Sequence, residues 1–143
     1  KSIGLAPSHA ENLAISAIVH NKSGQPERGL ELIKRAMRYC PVYPLWFLWA
    51  LGMAYRYANQ PDAAISAFEL ATSRGLSYIS AHVSLASTYG ELNLLEEAKK
   101  TVLEILQQNP DFSITRYMAG LSYKNPLDME RFEEGLRKVG LPD

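Results

Sequence analysis

Little in this sequence can do chemistry. It has one cysteine, Cys40, which rules out an internal disulfide and fits a reducing, cytoplasmic compartment. Its three histidines, His9, His20 and His82, lack metal-ligand spacing to Cys40 or to carboxylates. No glycine-rich phosphate loop is present, and the nine glycines fall at expected helix ends and close contacts. Glu96-Glu97 and Glu133-Glu134 read as solvated faces, not as an acid–base pair, and Cys40 sits in a proline-bounded turn without a patterned base. Fifteen basic residues balance fifteen acidic ones, so charge gives no reason to expect nucleic acid or an anionic membrane as partner. The longest apolar candidate, around Leu45–Leu51, is too short to span a bilayer, and no secretory pattern follows Lys1. No catalytic residue, metal or other cofactor is expected.

What is present is a periodic array of apolar and small residues. Hydrophobic residues make up 47% of the 143, enough to bury a sizeable core in one domain. Counting from Leu45, positions 4, 7, 8 and 11 are Leu48, Leu51, Gly52 and Tyr55, and Ala64, Phe68 and Ala71 follow. A second unit begins 34 residues on, at Ile79, with His82, Leu85, Ala86, Tyr89, Ala98, Val102 and Ile105. An earlier one begins at Ala10, with Leu13, Ser16, Ala17, His20, Gly29, Ile33 and Ala36. Pro7, Pro41, Leu76 and Pro110 close successive units at spacings of 34, 35 and 34. Small residues at position 8 (Ala17, Gly52, Ala86) let two helices approach, and large residues at positions 4, 7 and 11 fill the space between neighbours. No single helix pair can bury its apolar face alone, so stacking creates the core.

This pattern resembles the tetratricopeptide repeat, W-x2-L-G-x2-Y…A-x3-F, with Leu48 in place of the Trp. The resemblance implies an all-α fold, a right-handed superhelical stack of antiparallel helix pairs with a C-terminal capping helix. The units are 10–43, 45–78 and 79–112, followed by a degenerate helix and the cap in 113–143. Residues 1–7 are expected to be the tail of a preceding unit and the chain a piece of a longer one. Helices are expected from a Ser8 cap to about Lys22, from Pro26 to about Tyr39, from Pro44 to Tyr57 and from Pro61 to Arg74. Further pairs run from about Ser77 to Leu92 and from Leu94 to Gln108. A short helix is expected over Ser113–Leu121, with Tyr123 at position 11. A last one, capped by Asn125, should carry Leu127, Phe132, Leu136 and Val139 inward.

The end of the chain is more particular. Asn109-Pro110-Asp111-Phe112-Ser113, Tyr123-Lys124-Asn125-Pro126 and Glu130-Arg131-Phe132-Glu133-Glu134-Gly135-Leu136-Arg137-Lys138-Val139-Gly140-Leu141-Pro142 resemble the C-terminal end of proteobacterial, often rhizobial, adenylate/guanylate cyclase-like proteins that carry such arrays. Leu32–Arg38 and Trp46–Gly52 are similar to the same family. Ser122 and Asn125 depart from it, standing where the family often has Pro and Asp. The resemblance implies the interaction region of a multidomain bacterial signalling protein; related arrays are also joined to winged-helix regulators.

In tetratricopeptide arrays positions 2, 5, 9, 12 and 13 of the first helices line a concave groove. The residues so placed, and expected to bind a partner, are Trp46, Trp49, Met53, Arg56 and Tyr57, with Asn21, Lys22, Ser87 and Glu91 from the flanking units. Two Trp, a Tyr and an Arg on one helix face are hot-spot chemistry, although aromatics at helical spacing also serve as packing. The expected partner is a protein or peptide, extended or helical, including another domain of the same chain; a homodimer burying Trp46 and Trp49 is the alternative. A clamp for a C-terminal carboxylate is not expected, because the inner positions Ala14, Ile18, Trp49 and Met53 cannot neutralise one.

Overall fold

The computed structural model describes residues 7–75, 78–121 and 124–143, with the side chains of Pro7 and Ser8 left aside. Helix α1 begins at Pro7, so Ser8 lies inside the helix and is not its expected cap; the remnant in Lys1–Ala6, the closing residue Leu76, the helix start at Ser77, and Ser122 and Tyr123 lie outside the described residues.

Among the described residues every regular element is a helix: α1 Pro7–Lys22, α2 Pro26–Tyr39, α3 Leu45–Tyr57, α4 Pro61–Arg74, α5 Ile79–Glu91, α6 Leu95–Gln108, α7 Ile114–Ala119 and α8 Pro126–Lys138. Successive helices pair as α1/α2, α3/α4 and α5/α6, and each second helix packs on the first helix of the next pair. None is long and apolar enough to cross a membrane.

The turns inside the three pairs repeat as faithfully as the helices. At the first, Gln25 N–H reaches the His20 carbonyl (2.8 Å) and Gly24 N–H the Asn21 carbonyl (3.2 Å), with Gly24 at φ +80°. This paired closure satisfies carbonyls that the end of α1 would otherwise leave bare, and it needs a left-handed residue. Asn59 (φ 64°) and Asn93 (φ 59°) fill the same place in the next two pairs, with the same two bonds. Asparagine is the non-glycine residue that enters this region at least cost, so both positions are legible once the turn geometry is known.

The core follows the periodic positions. Ala10, Ala14 and Ala17 of α1 bury against Leu32, Ile33 and Ala36 of α2 and Phe47 and Ala50 of α3. Gly52 faces Phe68 so closely that a Cβ there would fall 2.3 Å from the ring. A larger cluster joins Met53, Phe68, Val83, Leu85, Ala86 and Ile105 to the C-terminal residues Phe112, Ile114, Met118, Phe132, Leu136 and Leu141. Helix α7, shorter than its sequence suggests, is capped by Ser113, whose Oγ accepts the Arg116 N–H.

The C-terminal helix closes the array, burying Phe132 and Leu136 in its core. Asn125 caps it as expected, its Oδ1 accepting Leu127 N–H at 2.9 Å with Pro126 in the first turn. The helix then folds back along α5 instead of extending the stack. Its entry is tied to the first helix, since Lys124 N–H donates to the Lys22 carbonyl at 2.7 Å. Its exit is tied to α7, where Ile114 N–H donates to the Pro142 carbonyl at 2.8 Å. Phe132 and Leu136 are buried as expected, whereas Leu127 is 64% exposed because it lies in the first turn, before α8 reaches the core.

Candidate functional site

Helix α8 packs along α5, and its Phe132 reaches over Arg56 near the C-terminal end of α3. Four of the residues assigned to the groove by register form the floor beneath α8. Arg56 of α3 is 1% exposed, and its guanidinium lies under the Phe132 ring, 4.9 Å from the centroid. Its Nη1 donates to Ser87 Oγ at 2.8 Å, and Ser87 in turn donates to the Phe132 carbonyl at 2.7 Å. Arg56 Nε donates to Glu91 Oε1 at 3.1 Å; Nη2 is equally near the same oxygen but off hydrogen-bond geometry. The second oxygen of Glu91 accepts Arg131 Nε of α8 at 2.7 Å. Burial pulls the Arg56 pKa below its ordinary value, opposed by the charge of Glu91. Tyr57 beside it is also buried, and its hydroxyl is pushed well above the usual tyrosine range by desolvation.

Two glycines make this approach possible. A Cβ on Gly90 of α5 would fall 2.0 Å from the Gly135 carbonyl, and one on Gly135 would fall 2.2 Å from that of Ser87. Backbone thus meets backbone, a closer contact than the side-chain packing between ordinary repeats. Asp128, one turn before Phe132, lies near Arg131 (3.9 Å) and has its carboxyl pKa raised by burial.

The remaining assigned residues are placed differently. Met53 is buried in the core cluster that also holds Phe132. Trp49 is half-buried, and its Nε1 donates to Ser84 Oγ of α5 at 3.1 Å, bridging adjacent repeats. Trp46 is half-buried too, edge-on to Phe47 at 4.7 Å. Asn21 is 2% exposed and turned sideways: its amide donates to the Ala50 carbonyl at 3.4 Å and lies over Gly29, where a Cβ would fall 2.0 Å from Asn21 Oδ1. That overlap explains why Gly29 stands where the other two units have Ala64 and Ala98. Lys22 is half-buried, and its backbone carbonyl accepts Lys124 N–H ahead of α8. Register reading placed Gly90 on this face at position 12 but missed Arg131, Phe132 and Gly135 as parts of the site. The available signal was the pair of glycines on two amphipathic helices, which gains meaning only when the helices meet.

His20 and His82 are packing residues, with Nδ1 of His20 at 2.7 Å from the Ser16 carbonyl and Nδ1 of His82 at 3.0 Å from that of Tyr78. Among the described residues, no three His, Cys, Asp or Glu side chains are grouped so as to hold a metal ion.

The repeat class enters here. Residues 47–74 and 79–112 match the model of the tetratricopeptide repeat, and the fold is a tetratricopeptide-type α–α superhelix. Among solved structures, the chain is similar to the first tetratricopeptide domain of Spaghetti (RPAP3) bound to the HSP90 peptide SRMEEVD, at 22% identity and TM-score 0.68, covering 91% of this chain and 89% of that one. It is similar to a tetratricopeptide repeat protein from Parabacteroides merdae, at 26% identity and TM-score 0.67, with 91% of this chain covering 52% of that one. It is also similar to MamA, at 21% identity and TM-score 0.68, over 94% of this chain and 78% of MamA. No curated protein matches the sequence.

Proposed function

We propose that this chain is a protein–protein interaction scaffold whose groove face recognises a helical segment of a partner protein or of another domain of its own parent chain. The observation that carries this reading is α8. An amphipathic helix already packs along α5 and reaches α3, held by side-chain-specific contacts at Arg56, Ser87 and Glu91, and half-exposed Trp46 and Trp49 lie on the same face by register. The peptide-bound tetratricopeptide neighbour supports the general mode. The inner positions Ala14, Ile18, Trp49 and Met53 argue against an acidic, carboxylate-ended ligand. The C-terminal sequence supports a place in a larger, cytoplasmic bacterial signalling protein of adenylate cyclase-like type, with no catalytic role for these residues.

The test is selection of helical peptides from a display library on the wild-type chain and on a Trp46→Ala/Trp49→Ala chain. Clones that bind the first and lose the second are expected; no enrichment over a helical-bundle control overturns the reading. One observation favours assembly as a second reading. Ile15 and Val19 are each 53% exposed, at positions where the later units have Ala50 and Ala54, or Ser84 and Thr88, all of them buried. Light scattering separates the two, because assembly through that edge requires a dimer that Ile15→Glu dissociates.

A further inference from the structure

We propose that the face formed by the second helices, α2, α4 and α6, is a further docking surface. Its occupant is an extended segment of a partner protein that carries a large apolar side chain and, three or four residues away, an arginine or lysine. This surface is separate from the groove face, and the inference does not rest on the recognition reading above.

Helices α2, α4 and α6 pack on the first helices between them rather than on one another, which leaves a groove on each side of α4. The two grooves are built from the same repeat positions. In the first, about 370 Å³ in volume, Met37, Ala63, Ala67 and Leu70 stand over Leu51 and Tyr55. At the equivalent places of the second, about 290 Å³, Thr72, Glu97, Thr101 and Glu104 stand over Leu85 and Tyr89. One repeat step turns an apolar slot into an acidic one.

Each groove makes a different demand. The first holds Leu70, a large apolar side chain 38% exposed, which an apolar side chain of the occupant would cover. Its two ends are cationic: Lys34 Nζ lies 5.3 Å from the Tyr55 ring centroid, and the Arg74 guanidinium 5.9 Å from that of Tyr43. A basic side chain is therefore repelled from the apolar slot. The described lining of the second groove sets three carboxylates, Glu69, Glu97 and Glu104, against one cation, Lys100. Glu69 Oε2 accepts the Tyr89 hydroxyl at 2.6 Å.

A fully buried side chain points to the same shortage of donors. His82 stands where the preceding unit has Leu48, and its Nδ1 lies 3.0 Å from the Tyr78 carbonyl. A carbonyl only accepts, so Nδ1 carries the proton, and in the neutral ring Nε2 is an acceptor. That Nε2 makes no hydrogen bond among the described residues and faces the Glu104 carboxylate at 3.7 Å. Acceptors thus outnumber donors on this side of α4, and a guanidinium or ammonium group, which only donates, redresses the balance. Apolar and cationic demands on opposite sides of one helix fix the register of the occupant. A helix is about 10 Å across, and an extended chain rises about 3.3 Å per residue, which sets the spacing at three or four residues.

The probe is a library of random linear dodecapeptides displayed on phage and selected on the wild-type chain. Recovered clones are then bound to Leu70→Glu, Glu97→Lys and Trp46→Ala/Trp49→Ala chains. One class should bind the double Trp variant as well as wild type and lose at least tenfold on both Leu70→Glu and Glu97→Lys. Its members should share an apolar residue and an Arg or Lys at the stated spacing. Replacing that basic residue by Glu should restore binding to Glu97→Lys, an exchange that structural damage does not imitate. Absence of this class, indifference to Glu97→Lys, or failure of the exchange overturns the proposal. A wild-type dimer that Leu70→Glu dissociates overturns it as well, because the occupant is then a second copy. Leu70 and Glu97 are both surface positions; if Leu70→Glu fails to fold, Ser66→Glu on the exposed lip of the same groove takes its place. Recovery of Trp46- and Trp49-dependent clones alone ends this inference and leaves the recognition reading standing.

Discussion

The two ends of the groove face are built on opposite plans. Toward the C-terminal ends of α3 and α5, Met53, Arg56 and Tyr57 are buried, and the polar groups are joined into one chain of bonds from Ser87 through Arg56 and Glu91 to Arg131. Toward the N-terminal end of α3, Trp46 and Trp49 keep part of their rings in solvent, and one hydrogen bond, Trp49 to Ser84, ties that region to the next repeat. The first plan is that of a completed interface, and the second is the surface that the proposed recognition would use. The same registers of one repeat motif produce both, so position in the repeat decides which face a residue joins. What lies across that face decides how the residue is used.

The sharpest way to break the contrast is Phe132→Ala. It removes a fully buried ring and uncovers Arg56, so it should cost about 3–5 kcal/mol in urea unfolding. Trp46→Ala should cost clearly less in the same measurement, because its ring is half-exposed. Next comes an asymmetry within the polar chain. Glu91→Ala leaves Arg56 buried without its counter-charge and should cost about 3 kcal/mol. Arg56→Met removes the cation while Glu91 keeps Arg131 and Ser87 keeps the Phe132 carbonyl, so it should shift stability by no more than about 1 kcal/mol. Equal losses from the two would show that the guanidinium itself, not its desolvation, holds α8 down. On the open side, Trp49→Phe deletes the bond to Ser84 and trims a half-buried ring, and should cost about 1–2 kcal/mol, read from the same denaturation curves.

The smallest effect concerns pH. Burial raises the Asp128 carboxyl pKa above its usual 3.8, so the folded chain holds that proton more tightly than the unfolded one. Its contribution to stability is complete below the unfolded value and is lost as pH rises through the raised folded value. Asp128→Asn removes that loss. The Tm of the variant relative to wild type should therefore rise between pH 3 and pH 7, and a constant difference would contradict the assignment.

Much of the fold could be read from residues alone. Prolines and turn residues placed the helix ends, and the recurrence at 34 residues paired the helices, because both signals are local or strictly periodic. The face carrying Met53, Arg56, Tyr57, Ser87 and Glu91 was likewise fixed by register. Its occupant was not. The apolar stripe Phe132/Leu136 announces that α8 buries one face but contains no information about the surface it meets. Gly90 and Gly135, 45 residues apart, are unremarkable singly. Asn21 was misjudged for a related reason: its sideways turn depends on the missing Cβ of Gly29 in the next helix. Leu127 was placed inward by periodicity, which ignores that a crossing helix meets its support only partway along.

The bond from Lys124 to the carbonyl of Lys22 alters the mechanics of the whole array. An open stack of repeats is a spring, each joint flexing with its neighbours and the ends fraying first. Here a strut runs from the first helix to the third pair, closing the spring into a braced frame. Pulled from its ends, such a frame resists until the strut lets go and then softens at once.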